Sequence, residues 1–180
     1  MKRLFPFLAL CSLLATAPAT LSAQTIFVKA SAVGAANGTS WADAFTTLDA
    51  ALVVAIPGNQ VWVAAGVYKP TLGLVPNSSF AILAGVELYG GFSGTESTLN
   101  QRNLLTHVTT LSGDLNGDDL PTDLTMNRAD NSFHVLTVNN GSPALRAVVD
   151  GFVIRNGNTK VATADPELPN AAAVFLPMPK

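Results

Sequence analysis

An acidic stretch holds the clearest pattern of metal-binding side chains in this 180-residue chain. Its carboxylate and amide groups lie on alternate or neighbouring positions around a glycine: Asp114, Asn116, Asp118, Asp119 and Asp123, with Asp130 farther along. Oxygen ligands in this order follow the first half of a calcium-binding loop. The twelfth position, where such a loop has its closing glutamate, is Thr125. We therefore expect either a loose calcium site or a solvated acidic corner.

Histidine and cysteine give no second site of this kind. The histidines are His107 and His134, and the one cysteine, Cys11, lies close to the N-terminus. Neither histidine has a second ligand at the spacing of a zinc site, so we predict no zinc. His134, flanked by apolar residues, is expected to point outward from a strand.

The remaining charged side chains form no catalytic set that the sequence reveals. A lyase acting on acidic polysaccharide needs calcium-binding carboxylates and a base, and a glycosidase needs paired carboxylates. The candidate bases are Arg128, Arg146 and Arg155, and none of them is accompanied by a recognisable set of carboxylates. We expect the Asp150 carboxylate to be structural or solvated. We predict no catalytic residues. The sequence does not decide whether the protein is an enzyme, although the lack of a catalytic set favours a non-catalytic protein.

Residues 1–23 have the layout of a secretory signal peptide. Lys2 and Arg3 precede an apolar stretch over residues 4–17, and small residues follow as far as Ala23. Cleavage is expected after Ala23, with Ala19 as the alternative. The apolar stretch is shorter than the roughly 20 residues of a membrane span. The sequence thus predicts a protein that is secreted or held at the cell surface, without a membrane span.

Composition narrows the class of fold and partner. Hydrophobic residues make up 48% of the chain and charged residues 12%, which excludes a disordered polyampholyte or a coiled coil. The formal net charge is −2, so there is no basic surface for nucleic acid.

One helix and several short strands are predicted after the signal. The first strand covers residues 25–30, and apolar positions at spacings of three and four predict a helix over residues 41–55, started near Ser40 and ended by Pro57-Gly58. The later strands are rich in β-branched and aromatic residues: 60–68, 80–83, 86–92, 108–111, 133–138 and 148–154. This order predicts an all-β fold, either a sandwich or a solenoid.

Corner sequences and strand spacing favour the solenoid. Gly or Asn closely follows an apolar residue at several strand ends: Tyr89-Gly90-Gly91-Phe92, Leu111-Ser112-Gly113-Asp114, Val138-Asn139-Asn140-Gly141 and Ile154-Arg155-Asn156-Gly157. These residues accept the left-handed backbone of a tight corner. Val86, Val108 and Val135 recur at intervals within the range of a repeat unit.

The order of segments resembles the amino-terminal part of secreted right-handed parallel β-helix proteins, the pectate-lyase-like repeat proteins of bacterial surfaces. The stretches that support the resemblance are IFVKASAVGAANGTSWADAFTTLDAAL (26–52), VWVAAGVYKPT (61–71), VELYGGFSGTE (86–96), TTLSGDLNGDD (109–119), NSFHVLTV (131–138) and VVDGFVIRNGN (148–158). The resemblance implies a right-handed parallel β-helix whose N-terminal helix caps the first coil, with Trp41 and Phe45 packed in the core. It implies no single activity, because such scaffolds serve adhesins, polysaccharide-binding proteins and polysaccharide-cleaving enzymes.

The pattern stops after Asn158. We expect a strand and capping helix over residues 24–58, β-helix coils over 59–160 and an irregular tail over 161–180, which has four prolines and no glycine. Either the solenoid is incomplete at its C-terminus, or the tail folds back as a cap through Val174, Phe175 and Leu176.

Two functions are consistent with these features. The first is an exported, non-catalytic β-helix domain of an adhesin-like or carbohydrate-binding surface protein, whose partner is a polysaccharide or another cell surface. The alternative is the N-terminal part of a polysaccharide lyase or glycoside hydrolase whose active site lies downstream. No cofactor is required in the first case, and calcium is the only one the sequence suggests.

Overall fold

The computed structural model describes residues 23–70, 75–123, 126–139 and 145–158, and the account below concerns these. Nearly all of the predicted signal segment and the whole of the predicted tail, residues 161–180, lie outside them. The described chain contains one α-helix, one short 3-10 turn (Leu99–Gln101) and nine strands. No helix there is long and apolar enough to cross a membrane.

The helix α1 covers Leu48–Val54 and is preceded by the strand β1, Thr25–Val28. It begins at the N-cap Thr47, whose hydroxyl accepts a hydrogen bond from the Ala50 N–H. Leu48 is buried and packs in the apolar core.

The predicted helix over residues 41–55 is therefore wrong in its first half. Phe45 is extended and forms a parallel bridge with Val28, so its backbone is bonded across to β1. The Asp43 carboxylate accepts hydrogen bonds from the Ala35 N–H and the Ser40 hydroxyl, which fixes the preceding loop in place of a helical turn.

The other strands overlap the predicted segments. They are β2 (Gln60–Ala64), β3 (Gly66–Tyr68), β4 (Phe80–Leu83), β5 (Glu87–Phe92), β6 (Thr109–Ser112), β7 (Leu136–Asn139), β8 (Val148–Asp150) and β9 (Phe152–Arg155). However, β7 begins three residues later than the predicted strand 133–138. The predicted strands 60–68 and 148–154 are each two strands. Gly151, with φ +82°, supplies the left-handed bend that separates β8 from β9.

All strand pairing in the described residues is parallel and forms three sheets. The first sheet has the order β1-β2-β5-β8, the second β3-β6-β9 and the third β4-β7. From β2 onward the chain visits the first, second and third sheets in turn, then repeats that order. The prediction of a β-rich fold built from short strands is confirmed, with parallel pairing throughout.

The inward side chains of the sheets form one apolar core. In the first sheet Ile26, Val61 and Leu88 are neighbours across three strands, and all are buried. Leu111 and Phe80 bring the second and third sheets into the same cluster. Burial of each large side chain stabilises the fold by about 2 kcal/mol.

Candidate metal site and polar sheet face

The acidic stretch lies where the chain leaves β6. Ser112 ends that strand, and Gly113 comes next at a point where two layers of backbone touch. A Cβ atom on Gly113 would lie 2.4 Å from the carbonyl oxygen of Asn156. Glycine is therefore required here for space. The left-handed backbone predicted for the corner Leu111-Ser112-Gly113-Asp114 is absent, since none of these four residues has a positive φ.

Asp114 organises the loop that follows. Its Oδ1 accepts hydrogen bonds from the N–H groups of Gly117 and Asp118, and its Oδ2 accepts one from the Asp119 N–H. Gly117 has φ +79°, a conformation that suits glycine. Asp114 itself is buried, so the loop is built around its carboxylate.

Three carboxylates meet on this loop. Asp114, Asp118 and Asp130 each offer an oxygen, and these atoms lie within 4.8 Å of one another. Asn116 contacts this group through its backbone: its N–H donates a hydrogen bond to Asp130 Oδ2 at 2.9 Å. Oxygen ligands at such spacing suit a hard cation such as calcium.

One cationic side chain also lies beside this loop. A Cβ atom on Gly117 would be 2.6 Å from Lys69 Nζ, so the ammonium group lies against the glycine. Its positive charge partly offsets the repulsion among the carboxylates.

Only some of the predicted calcium ligands therefore lie close to one another. Asp114 and Asp118 lie together, Asp130 joins them, and neither Asp119 nor Asp123 belongs to the group. Asp123 Oδ1 instead accepts a hydrogen bond from the Met126 N–H at 3.3 Å. Calcium binding itself stays a prediction.

Asp119 points into the protein and ties three segments together. Its side chain is 7% exposed. Its Oδ2 accepts hydrogen bonds from the side-chain amides of Asn131 and Asn156, and Arg128 lies 3.4 Å away as its ion-pair partner. Asn156 was predicted only as a corner residue, and no local signal in the sequence points to its contact with Asp119, 37 residues away.

A second group of polar side chains lies on the outward side of the first sheet. We call it the polar face; its members are Gln60, Trp62, Glu87, Tyr89 and Asp150. Gln60 is the register partner of Glu87, and Trp62, Tyr89 and Asp150 are partners across β2, β5 and β8. Because side chains alternate along a strand, these five lie opposite the buried Val61 and Leu88.

Hydrogen bonds connect the members of the polar face. Glu87 Oε2 accepts from Gln60 Nε2 at 2.9 Å and from the Tyr89 hydroxyl at 3.1 Å. The Trp62 indole N–H donates to Gln60 Oε1 at 3.0 Å. The side chains are therefore held in place before any ligand arrives.

Arg102 completes the edge of this face. Its guanidinium forms an ion pair with Asp150 at 2.9 Å and lies 5.0 Å from the centre of the Tyr89 ring. The 3-10 turn positions it, because Gln101 Oε1 accepts the Thr98 N–H at 3.0 Å and closes that turn. Burial and the neighbouring Glu87 carboxylate raise the pKa of Tyr89, so its hydroxyl stays protonated at neutral pH.

Trp62, although a member of this face, and the aromatic residues beside it are packing residues. Trp62 and Phe92 stack at 4.7 Å, and both are buried. Trp41 packs edge-on against Phe27 at 4.8 Å, and its indole N–H donates to the Glu96 carbonyl. Phe45 is partly buried against the core. The prediction of core packing is confirmed for Phe45, whereas Trp41 packs against Phe27 and Phe92, outside the apolar core.

The remaining candidate residues lie apart from both groups. His134, Arg146 and Arg155 are exposed. His134 was predicted to point outward from a strand, but it precedes β7 and lies in no strand. His107 Nδ1 lies 3.9 Å from Glu96 Oε1. Asp150, expected to be structural or solvated, is half-exposed and ion-paired.

No known protein family, curated protein or solved structure matches this chain.

Proposed function

We propose that this chain is an exported, non-catalytic domain with a right-handed parallel β-helix fold, and that its polar face binds polysaccharide on a cell surface. The strongest support for this fold is that the chain passes through the three parallel sheets in a repeating order. In a parallel β-helix each coil gives one strand to each sheet, and the next coil stacks on it. A right-handed path is the rule for connections between parallel strands.

The polar face supports the binding function. It presents an amide, two carboxylates, a guanidinium and a tyrosine ring on one side of a rigid sheet. Planar amide, carboxylate and guanidinium groups can each form two hydrogen bonds to neighbouring hydroxyl groups of a sugar. A small number of such groups is enough to orient a bound ligand. Since the hydrogen bonds of Glu87 and Arg102 already fix the geometry, little ordering entropy opposes binding.

Titration of residues 24–180 with neutral and acidic polysaccharides tests this function. Loss of a charged hydrogen bond costs about 1.4 kcal/mol or more, so Asp150→Asn and Glu87→Gln are each expected to weaken binding roughly tenfold. The control is His134→Asn, an exposed change off this face, which should leave the affinity unchanged. Equal affinity of all three variants would contradict the assignment of the face.

The alternative function is that of a glycosidase or polysaccharide lyase. It is favoured by Glu87 and Asp150, two carboxylates on the adjacent strands β5 and β8. Asp150 is the register partner of Tyr89, two residues after Glu87. Against it, Asp150 is ion-paired with Arg102 and Glu87 accepts two hydrogen bonds, so neither is placed as a general acid. Release of reducing or unsaturated sugar ends, lost in Glu87→Gln, would establish the enzyme and overturn the binding domain.

Calcium is the cation that we propose for the acidic corner. An ion bound only to the folded state raises the melting temperature, by about 3 °C at roughly ten times its dissociation constant. Asp118→Asn should abolish the shift, and Asp123→Asn, outside the group, should keep it. An equal effect of magnesium chloride, or no shift in millimolar calcium, would remove this proposal.

A further inference from the structure

The polar face offers a ligand hydrogen-bond acceptors. Glu87 Oε2 accepts from Gln60 and Tyr89, but Glu87 Oε1 accepts no hydrogen bond from the residues that the structure describes. Asp150 uses its Oδ2 in the ion pair with Arg102, and no donor among the same residues bonds to its Oδ1. One carboxylate oxygen on β5 and one on β8 are therefore open to a ligand that can donate.

Most donors of the face are already used inside the protein. All three guanidinium nitrogens of Arg102 donate: Nε to the Leu99 carbonyl at 3.1 Å, Nη1 to the Gly90 carbonyl at 3.3 Å and Nη2 to Asp150. The Arg102 side chain is only 16% exposed, whereas that of Asp150 is 50% exposed. The guanidinium thus holds Asp150 in place, and the carboxylate is the group that a ligand meets.

Negative charge is in excess on this face. Glu87 and Asp150 carry two carboxylates, and Arg102 alone is ion-paired with one of them. Lys29, beyond the end of β1, donates to a backbone carbonyl at 3.5 Å. Arg146 is exposed before β8 and, within the described ranges, forms no hydrogen bond to the face. A charged ligand that approaches the face is therefore attracted if it is cationic and repelled if it is anionic.

We infer that the ligand of the polar face is a polysaccharide built from amino sugars, and that the face discriminates against polymers of uronic or sulfated sugars. This inference rests on the proposed binding function and names its ligand class. A protonated amine donates charge-assisted hydrogen bonds to Glu87 Oε1 and Asp150 Oδ1, and sugar hydroxyls donate weaker ones. A sugar carboxylate or sulfate would add a negative charge beside two others, which costs affinity and excludes such partners.

Calorimetric titration of residues 24–180 with three oligosaccharides of equal length tests the inference. They are oligomers of glucosamine, of N-acetylglucosamine and of galacturonate, used at a pH at which the free amine is protonated. A chelator is present throughout, so that no calcium bridges acidic sugars to the acidic corner. The glucosamine oligomer is expected to bind most tightly and the galacturonate oligomer at least about tenfold more weakly. Added salt should reduce this difference.

A single substitution should move two affinities in opposite directions. Asp150→Asn removes one negative charge and releases Arg102 from its ion pair. It is expected to weaken binding of the glucosamine oligomer about tenfold and to strengthen binding of the galacturonate oligomer. A damaged fold would weaken both. The control is Asp123→Asn, which makes the same change of charge in the acidic loop and should alter neither affinity.

Three results would overturn the inference, and they separate it from the proposed function. If the galacturonate oligomer binds as tightly as the glucosamine oligomer and Glu87→Gln abolishes both, the face binds polysaccharide but does not select amino sugars. If Asp123→Asn and Asp150→Asn have equal effects, the preference comes from the charge of the whole chain. If none of the three oligomers binds, the binding function itself is wrong, and the inference is wrong with it.

Discussion

The Glu96 carboxylate is enclosed by backbone donors. Its oxygens accept hydrogen bonds from the N–H groups of Ser93, Gly94 and Thr95 at 2.7 to 3.0 Å. Burial opposes the charge, but the hydrogen bonds from Ser93, Thr95 and the Glu96 N–H outweigh it and lower the pKa to about 2. A carboxyl whose pKa is depressed on folding stabilises the protein above its ordinary pKa of 4.5, and this contribution is lost as the pH falls towards 2.

Glu96→Gln is therefore expected to destabilise the protein by about 2 to 3 kcal/mol at pH 7 and much less at pH 3. Urea unfolding of both proteins at pH 7, 5 and 3 measures the difference. A gap that stays constant over this range would mean that the charge of Glu96 is not what stabilises the loop.

Asp118 and Asp119 are neighbours with opposite surroundings, which makes them a matched pair. Asp119→Ala leaves Arg128, the buried Asn131 amide and the partly buried Asn156 amide without their acceptor and should cost about 3 kcal/mol of unfolding free energy. Asp118→Ala removes an exposed carboxylate and should cost less than about 0.5 kcal/mol without calcium. Denaturant unfolding with a chelator present compares the two, and equal losses would contradict the inward role of Asp119.

The sequence predicted the acidic loop but not which of its carboxylates face each other. Asp118 and Asp119 have the same side chain and lie in a loop with no periodicity, so no local signal separates them. The surroundings of Asp119 are set by Asn131, twelve residues along the same loop, and by Asn156, which is brought close when β6 and β9 pair. The polar face was missed for the same reason, since the partnership of Tyr89 with Asp150 depends on a register across 61 residues.

At the scale of elements, local signals succeeded where strands were short and failed for the helix. β4 has the predicted bounds, because its apolar run is limited by polar and glycine residues. The helix was predicted too long, since apolar spacings of three and four also occur in the turn that holds Trp41 and the bridge that holds Phe45. The bridge between Phe45 and Val28 is a tertiary contact, and it overrides the local helical pattern.

The true start of α1 can be tested directly. Thr47→Ala removes the hydroxyl that caps the helix and should destabilise the protein by about 0.5 to 1 kcal/mol, at the low end because the hydrogen bond is 3.4 Å long. Thr46→Ala, the adjacent exposed position, should have no effect. Thermal unfolding measures both, and a larger loss for Thr46 would place the cap one residue earlier.

At the scale of the whole molecule, the three sheets share one core, so we expect them to unfold together. Leu111 lies in the second sheet and belongs to the same buried cluster as Val61 of the first and Phe80 of the third. Leu111→Ala should cost about 3 kcal/mol, whereas Val153→Ala, a half-exposed change on the neighbouring strand β9, should cost well under 1 kcal/mol. Tryptophan fluorescence reports on Trp62 of the first sheet and on Trp41, which packs against Phe27 and Phe92 of that sheet, and far-ultraviolet circular dichroism reports on all strands. If the core is continuous, Leu111→Ala lowers both midpoints by the same amount, although the substitution lies in a different sheet from the one that both tryptophans contact. A fluorescence midpoint that stays in place while the dichroism midpoint falls would mean that the first sheet and α1 unfold as a separate unit.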